Sequence, residues 1–188
     1  MSIRIHPTAD VSEEATIGEG TQIWHYAQIR EGVVIGRNCI IGKGTYVDFD
    51  VHLGDCCKLQ NGVNLYHGAY LEDGVFLGPG VMVLNDKIPR AISPDGTLKT
   101  SSEWEVSPVK IGYGVSIGGG AIILPGITLG KWSMIGSGAV VTGDVQEYGI
   151  YYGNPAKLYG FACPCGNRLP DGELSFCPKC GQVIDRSI

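Results

Sequence analysis

An aliphatic side chain returns at every sixth position along most of this chain. From Ile5 the series runs Val11, Ile17, Ile23, Ile29, Ile35, Ile41, Val47, Leu53, Leu59, Leu65, Leu71, Leu77 and Val83. It resumes at Ile111, Ile117, Ile123, Leu129, Ile135 and Val141. Two residues before most of these rungs stands something small or β-branched, among them Ala9, Ala27, Cys39, Thr45, Cys57, Val63 and Val81. A helix repeats every ~3.6 residues and a strand every second residue, so neither produces a period of six. Glycine follows several rungs, as in Ile17-Gly18, Ile35-Gly36, Ile41-Gly42 and Leu53-Gly54. The pattern predicts an all-β chain wound as a parallel β-helix of six-residue repeats.

Each hexad then supplies one short strand and one corner, and three hexads close a triangular coil of eighteen residues. Rungs point into the prism, and the small residues fill the tight space beside its corners. Stacked coils lie about 4.8 Å apart, the spacing of hydrogen-bonded strands. Each buried rung stabilises the body by roughly 1.5–3 kcal/mol, so a single inward column suffices without helices.

Breaks in the ladder divide the chain. The regular body covers residues 1–160, and a C-terminal cysteine-rich ribbon covers 161–188. From about residue 85 to 109 the rungs disappear, and Pro89, Pro94-Asp95-Gly96 and Pro108 mark turns. An excursion of this length inside a strict repeat is usually functional. The formal charge of −5 argues against nucleic acid as a partner. The apolar runs are too short to cross a membrane and no signal peptide is recognised ahead of the first rung, so a cytoplasmic protein is the expectation.

The period also predicts what stacks on what. Phe49, His67 and Asn85 are spaced by eighteen and all stand two residues after a rung, facing outwards at the root of the excursion. His25 holds the same hexad position one corner round and two coils down. A histidine stacked beneath an asparagine makes a polar pocket; the alternative is an ordinary solvated wall.

Cys163-Pro164-Cys165-Gly166 and Cys177-Pro178-Lys179-Cys180-Gly181 present four sulfurs in two close pairs. Cys163, Cys165, Cys177 and Cys180 match the ligand set of a structural zinc, which takes four thiolates and leaves no position open for catalysis. The first pair is Cys-x-Cys where Cys-x-x-Cys is usual, so that knuckle is expected to be altered. Free thiols or disulfides are the alternative. Cys39 and Cys57 read as core residues and Cys56 as exposed.

Several motifs carry a resemblance. They are Gly153-Asn154-Pro155-Ala156-Lys157 after the last coil, Ile23-Trp24-His25-Tyr26, Asn61-Gly62-Val63-Asn64-Leu65-Tyr66, Leu71-Glu72-Asp73-Gly74, and Leu84-Asn85-Asp86-Lys87-Ile88-Pro89-Arg90. Over nearly all of residues 1–160 the chain resembles the hexapeptide-repeat acyltransferases. It is most similar to those that acetylate the 3-amine of a UDP-linked 2-acetamido-3-amino-glucuronate in surface-polysaccharide synthesis. Two positions depart from that pattern. Tyr66 is followed by His67 where the family has an acidic residue, and Ile88-Pro89-Arg90 stands for Asn-Pro-Arg.

The resemblance implies a left-handed prism, a homotrimer with sites between subunits, acetyl-CoA as donor and a UDP-linked amino sugar as acceptor. Asn85 would hold the amine, and His67 would take its proton, histidine being the side chain that titrates near neutrality. A packing or substrate-contact role is the alternative for His67. Trp24, His25, Asn64 and Tyr66 would contact the nucleotide sugar, although Trp24 would equally suit packing between subunits. Arg90 suits a carboxylate or diphosphate, or is simply solvated. The small residues Ser116, Gly119, Ala121 and Ser137 would leave room for the pantetheine arm, and Lys157 would meet the CoA phosphates. A 4-amino sugar or a small-molecule hydroxyl is the next acceptor to consider, and a non-catalytic scaffold is the rival class. The metal-dependent carbonic anhydrase of the same fold needs three histidines, two of them close in sequence, whereas His6, His25, His52 and His67 all stand far apart in sequence and none follows the excursion, which argues against it.

Overall fold

The computed structural model describes residues 2–100, 103–172 and 174–186. Among them there is no helix, and the chain winds as a left-handed parallel β-solenoid of about eight turns. Most strands are two residues long, a rung and the residue before it. They stack into three parallel sheets that form the walls of the prism. The first wall begins with Arg4–Ile5, Gln22–Ile23 and Ile40–Ile41. The second begins with Asp10–Val11, Gln28–Ile29 and Tyr46–Val47, and the third with Thr16–Ile17, Val34–Ile35 and His52–Leu53.

Register follows the eighteen-residue coil. Ile5 lies opposite Ile23, Ile23 opposite Ile41, Ile41 opposite Leu59 and Leu59 opposite Leu77. The next partner of Leu77 is Ile117. That is forty positions on rather than eighteen, so the excursion adds twenty-two residues without disturbing the ladder. It leaves after Met82–Val83 and rejoins at Val109–Ile111.

Rungs from Ile23 to Ile123 are almost completely buried and form one continuous core. The N-terminal coil departs from the expected pattern. Ile5 is 44% exposed, and Val11 and Ile17 are only partly covered. Among the described residues no further coil stacks on the outer side of this one to cover them.

The small inward residues also do more than fill space. Thr21 Oγ1 donates to Gly36 O at 2.8 Å and accepts from the Cys39 amide at 3.0 Å. Thr45 Oγ1, Cys39 Sγ and Cys57 Sγ reach the corner carbonyls of Gln60, Gly54 and Glu72 in the same way. Carbonyls that the strand ladder leaves unpaired at the buried corners are thereby satisfied.

Gly149–Gly153 extends the first wall, and Ala156–Phe161 folds back on it antiparallel through the turn at Asn154-Pro155, whose peptide is cis. This second strand runs across the expected boundary at residue 160 and leads straight into the ribbon. The ribbon contains a hairpin of Leu174–Phe176 with Val183–Asp185.

Candidate active site

At the corner that follows the middle strands of the second wall, polar and aromatic side chains stack from coil to coil between Arg30 and Asn85. The ring of His67 lies on that of Phe49, with centroids 3.9 Å apart and planes 14° from parallel. His67 Nδ1 is 3.0 Å from the Phe49 carbonyl oxygen. A carbonyl only accepts, so Nδ1 is the donor in this contact. One coil higher, Asn85 Nδ2 donates to the His67 carbonyl at 3.1 Å. The expected Phe49–His67–Asn85 column is therefore present and hydrogen-bonded throughout.

Beneath it sits Asp48, only 8% exposed. Its carboxylate accepts from Tyr46 Oη at 2.8 Å, Arg30 Nη1 at 2.8 Å, the Phe49 amide at 3.0 Å and the His67 amide at 3.1 Å. Burial pushes the Asp48 carboxyl up, but the Tyr46, His67, Phe49 and Arg30 donors outweigh it and hold the group below the usual carboxylate range. Burial also raises the phenol of Tyr46 above its ordinary value. Arg30 completes the base of the column, with its guanidinium 5.0 Å from the Phe49 ring centroid and an ion pair to Glu31.

The opposite end of the same strands is bare. Gly44, Gly62, Gly80, Gly120 and Gly138 stack along the corner between the first and second walls, all with φ between 64° and 69°. A methyl group built on any of them would meet nothing within 4 Å. The backbone angle alone does not demand glycine, because Asn38, Asp50, Cys56 and Trp132 adopt φ of 55–59° at other corners. Gly119 and Ser137 lie on this edge, and Ser116 faces outwards on the wall beside it. Ala121 is fully buried, so its methyl points into the prism and away from any ligand. Lys157 is exposed on the terminal hairpin, opposite Tyr152.

The remaining predicted residues divide between the two corners. Trp24 and His25 stand at the glycine corner and line a small cavity with Lys43, Gln60 and Asn61. The His25 ring stacks on His6 at 3.4 Å. Asn64 points out from the second wall and Nδ2 bonds Gly62 O at 2.9 Å, while Tyr66 packs near Tyr46 at 5.9 Å. Arg90 and Asn85 line a cavity of about 370 Å³ together with Lys99 and Trp104 from the excursion. Within one chain, then, His67, Asn85, Tyr66 and Arg90 form one group. The glycine edge with Trp24 and His25 forms another, one strand-length away.

Residues 14–48 and 108–143 match the family model for bacterial transferase hexapeptide (six repeats), and residues 32–67 match that for the hexapeptide repeat of succinyl-transferase. A maltose O-acetyltransferase of Clostridium difficile 630 is 32% identical, with a TM-score of 0.52, over 64% of this chain and 68% of that one. The chain belongs to the hexapeptide-repeat transferases. PerB from Caulobacter crescentus, solved with CoA and GDP-perosamine, is 27% identical over 85% of this chain and 58% of that one, with a TM-score of 0.50. The dTDP-3-amino-3,6-dideoxy-alpha-D-galactopyranose 3-N-acetyltransferase of Aneurinibacillus thermoaerophilus is 38% identical over 37% of this chain and 36% of its own length. The chain spans about a third to a half of the curated relatives it matches.

Two groups at this hexapeptide-repeat site were not anticipated. Arg30 and Asp48 are eighteen residues apart, so the period already places the charges one above the other. Lys99 and Trp104 lie in the excursion, where no period operates. The four tail cysteines do converge, with all sulfurs within 4.8 Å of one another, a cluster able to hold a metal ion.

Proposed function

We propose that this transferase moves an acetyl group from acetyl-CoA to the 3-amine of a nucleotide-linked amino sugar, with a UDP-linked amino uronate as the specific acceptor. The observation that carries the proposal is the Phe49–His67–Asn85 column, which holds the His67 ring through its Nδ1 and its stack on Phe49 at the root of the excursion. The relative from A. thermoaerophilus is named for acetylating a 3-amino sugar, and PerB was solved with CoA and a nucleotide sugar, which supports the same chemistry here.

In this reading Asn85 orients the amine and His67 Nε2 receives its proton as nitrogen attacks the thioester carbonyl. The C–N bond forms, the C–S bond breaks, and the proton passes to the departing CoA thiolate. Positioning supplies much of the acceleration, since a neutral amine is already a good nucleophile. Asp48 acts as a positioning residue through the His67 amide. Arg90 and Lys99, beside the Trp104 ring, meet the uronate or diphosphate. The bare glycine edge takes the pantetheine arm, with Lys157 near the CoA phosphates. Because donor edge and His67 column occupy different corners, the complete site forms between subunits of a homotrimer, where Trp24 and His25 of one subunit complete the pocket of another. The setting is cytoplasmic surface-polysaccharide synthesis, and the four tail cysteines take a structural metal.

The deciding assay is thiol release from acetyl-CoA with UDP-, dTDP- and GDP-linked 3-amino and 4-amino sugars. Turnover confined to the UDP-linked 3-amino uronate is expected. CoA binding without turnover on any amine would remove the acceptor assignment, and absence of CoA binding would leave a scaffold.

One observation favours a second reading, O-acetylation of a sugar hydroxyl: the C. difficile relative at 32% identity is a maltose O-acetyltransferase. An ester product is cleaved by hydroxylamine and an amide is not, so product stability separates the two.

A further inference from the structure

None of the residues assigned to acetyl transfer lies in the cysteine ribbon, and its four sulfurs converge into a cluster able to hold a metal ion. Its two cysteine pairs sit at the tips of two turns built alike. In the first, the Cys163 amide donates to Asn167 O at 2.9 Å and the Gly166 amide to Cys163 O at 2.7 Å. In the second, the Cys177 amide donates to Gln182 O at 2.9 Å and the Gly181 amide to Cys177 O at 3.0 Å. Each turn is closed by a glycine of positive φ, Gly166 at 83° and Gly181 at 77°. The shortened Cys-x-Cys spacing thus still yields a knuckle that mirrors its partner.

All four sulfurs lie within 4.8 Å of one another, and two of the pairs are near the separation a tetrahedral ion imposes. Cys163 Sγ and Cys180 Sγ are 3.5 Å apart, and Cys165 Sγ and Cys177 Sγ 3.7 Å. Thiolates about 2.3 Å from a tetrahedral zinc lie about 3.8 Å from one another. Disulfide sulfurs would be about 2.05 Å apart.

Burial gives an independent reason. The core of the ribbon consists of Cys163, Leu169, Cys177 and Ile184, with Tyr148 and Phe161 packed against it. Two aliphatic side chains cannot offset the ordering entropy of about twenty residues, and units this small normally need a metal or disulfides. The ribbon is also tied to the prism. The Ala162 amide donates to Tyr148 O at 2.7 Å, the Leu169 amide to Phe161 O at 2.8 Å, and the Arg186 guanidinium stacks 3.9 Å from the Phe161 ring centroid.

We propose that Cys163, Cys165, Cys177 and Cys180 bind one zinc ion as a closed tetrathiolate, and that this ion holds the ribbon as a cap over the last coil. Four protein ligands leave no place for water or substrate, so the role is structural. Binding deprotonates the thiols and couples folding of the ribbon to the metal.

The test uses the full chain, with metal content by mass spectrometry and hydrogen exchange before and after chelation. About one zinc per chain is expected. Cobalt substitution should give the charge-transfer and red d–d bands of a tetrahedral thiolate site. Cys177→Ser should lose the metal, and Cys56→Ser should keep it. Chelation of the wild-type chain should speed exchange at Tyr148 and residues 161–169 while the Leu53–Leu77 rungs stay protected. Metal-free protein with four reactive thiols, iron in place of zinc, or Cys163–Cys180 and Cys165–Cys177 disulfides in non-reducing peptide maps would overturn the metal assignment. Unchanged exchange after metal loss would overturn the cap.

Discussion

Asp48 accepts the backbone amide of His67 across one coil at 3.1 Å while its other oxygen is held by Arg30 at 2.8 Å. A buried charge thus fixes the peptide that carries the imidazole. Its neighbours Tyr46 and Phe49 donate to the same carboxylate, so the corner has one arrangement that satisfies every group.

Asp48→Asn should therefore destabilise the fold by about 1–3 kcal/mol, the cost of weakening a buried charged acceptor beside Arg30. The pH dependence has a definite sign. The Asp48 carboxyl is held low in the folded chain, so its contribution is complete above the unfolded carboxylate value and is lost as pH falls through the folded one. Melting temperatures of wild type and variant should differ at neutral pH and draw together only on acidification below the ordinary aspartate range. A gap that stays constant on acidification would remove Asp48 as its source.

His67→Ala should lower kcat by about 10²–10⁴-fold if Nε2 is the proton acceptor, with little change in the KM for acetyl-CoA. Added imidazole should restore part of the rate. A variant that loses activity without imidazole rescue, or retains it, assigns the ring to packing against Phe49.

Asn85→Ala removes the bond to the His67 carbonyl as well as the proposed amine contact. The expected result is a fall in kcat/KM for the amino sugar of about ten-fold or more, with acetyl-CoA binding unchanged, measured by steady-state kinetics and calorimetry.

The glycine corner can be probed without disturbing its backbone. Gly120 has φ 68° and open space beyond it, and Asn38 shows that asparagine accepts φ 58° at an equivalent turn. Gly120→Asn should fold, at a cost of about 1 kcal/mol, yet raise the KM for acetyl-CoA or weaken the trimer. Unaltered kinetics together with unaltered mass in light scattering would show that nothing packs on that edge.

Core substitutions should follow the burial of the rungs rather than their identity. Leu65 is completely buried and Ile5 is 44% exposed. Leu65→Ala should cost about 2–5 kcal/mol in denaturant unfolding, and Ile5→Ala well under half of that. Equal losses would mean that another chain covers the N-terminal coil.

The period of six made the body legible. It placed the rungs, the coil length, the excursion, and the His67–Asn85 and Phe49–His67 stacks, because in a solenoid a residue's neighbour is another residue eighteen positions away. The same arithmetic holds for Arg30 and Asp48. It identifies the pair but not the burial of Asp48 or its four donors, which depend on how the corner turns. The excursion obeys no period, so Lys99 and Trp104 could be placed beside Asn85 only by its folded course.

The amino-acid sequence by itself determined the prism, its eighteen-residue register and the four sulfurs of the tail, since each depends on local spacing and side-chain size. Tertiary structure decided the rest. It left Ile5 uncovered, turned Ala121 inwards, brought the two cysteine pairs together, and put the glycine edge and the His67 column at opposite ends of the same strands. These outcomes depend on where corners turn and where the chain stops stacking. Burial and convergence of distant groups are properties of the closed surface, and the repeat itself carries no record of them.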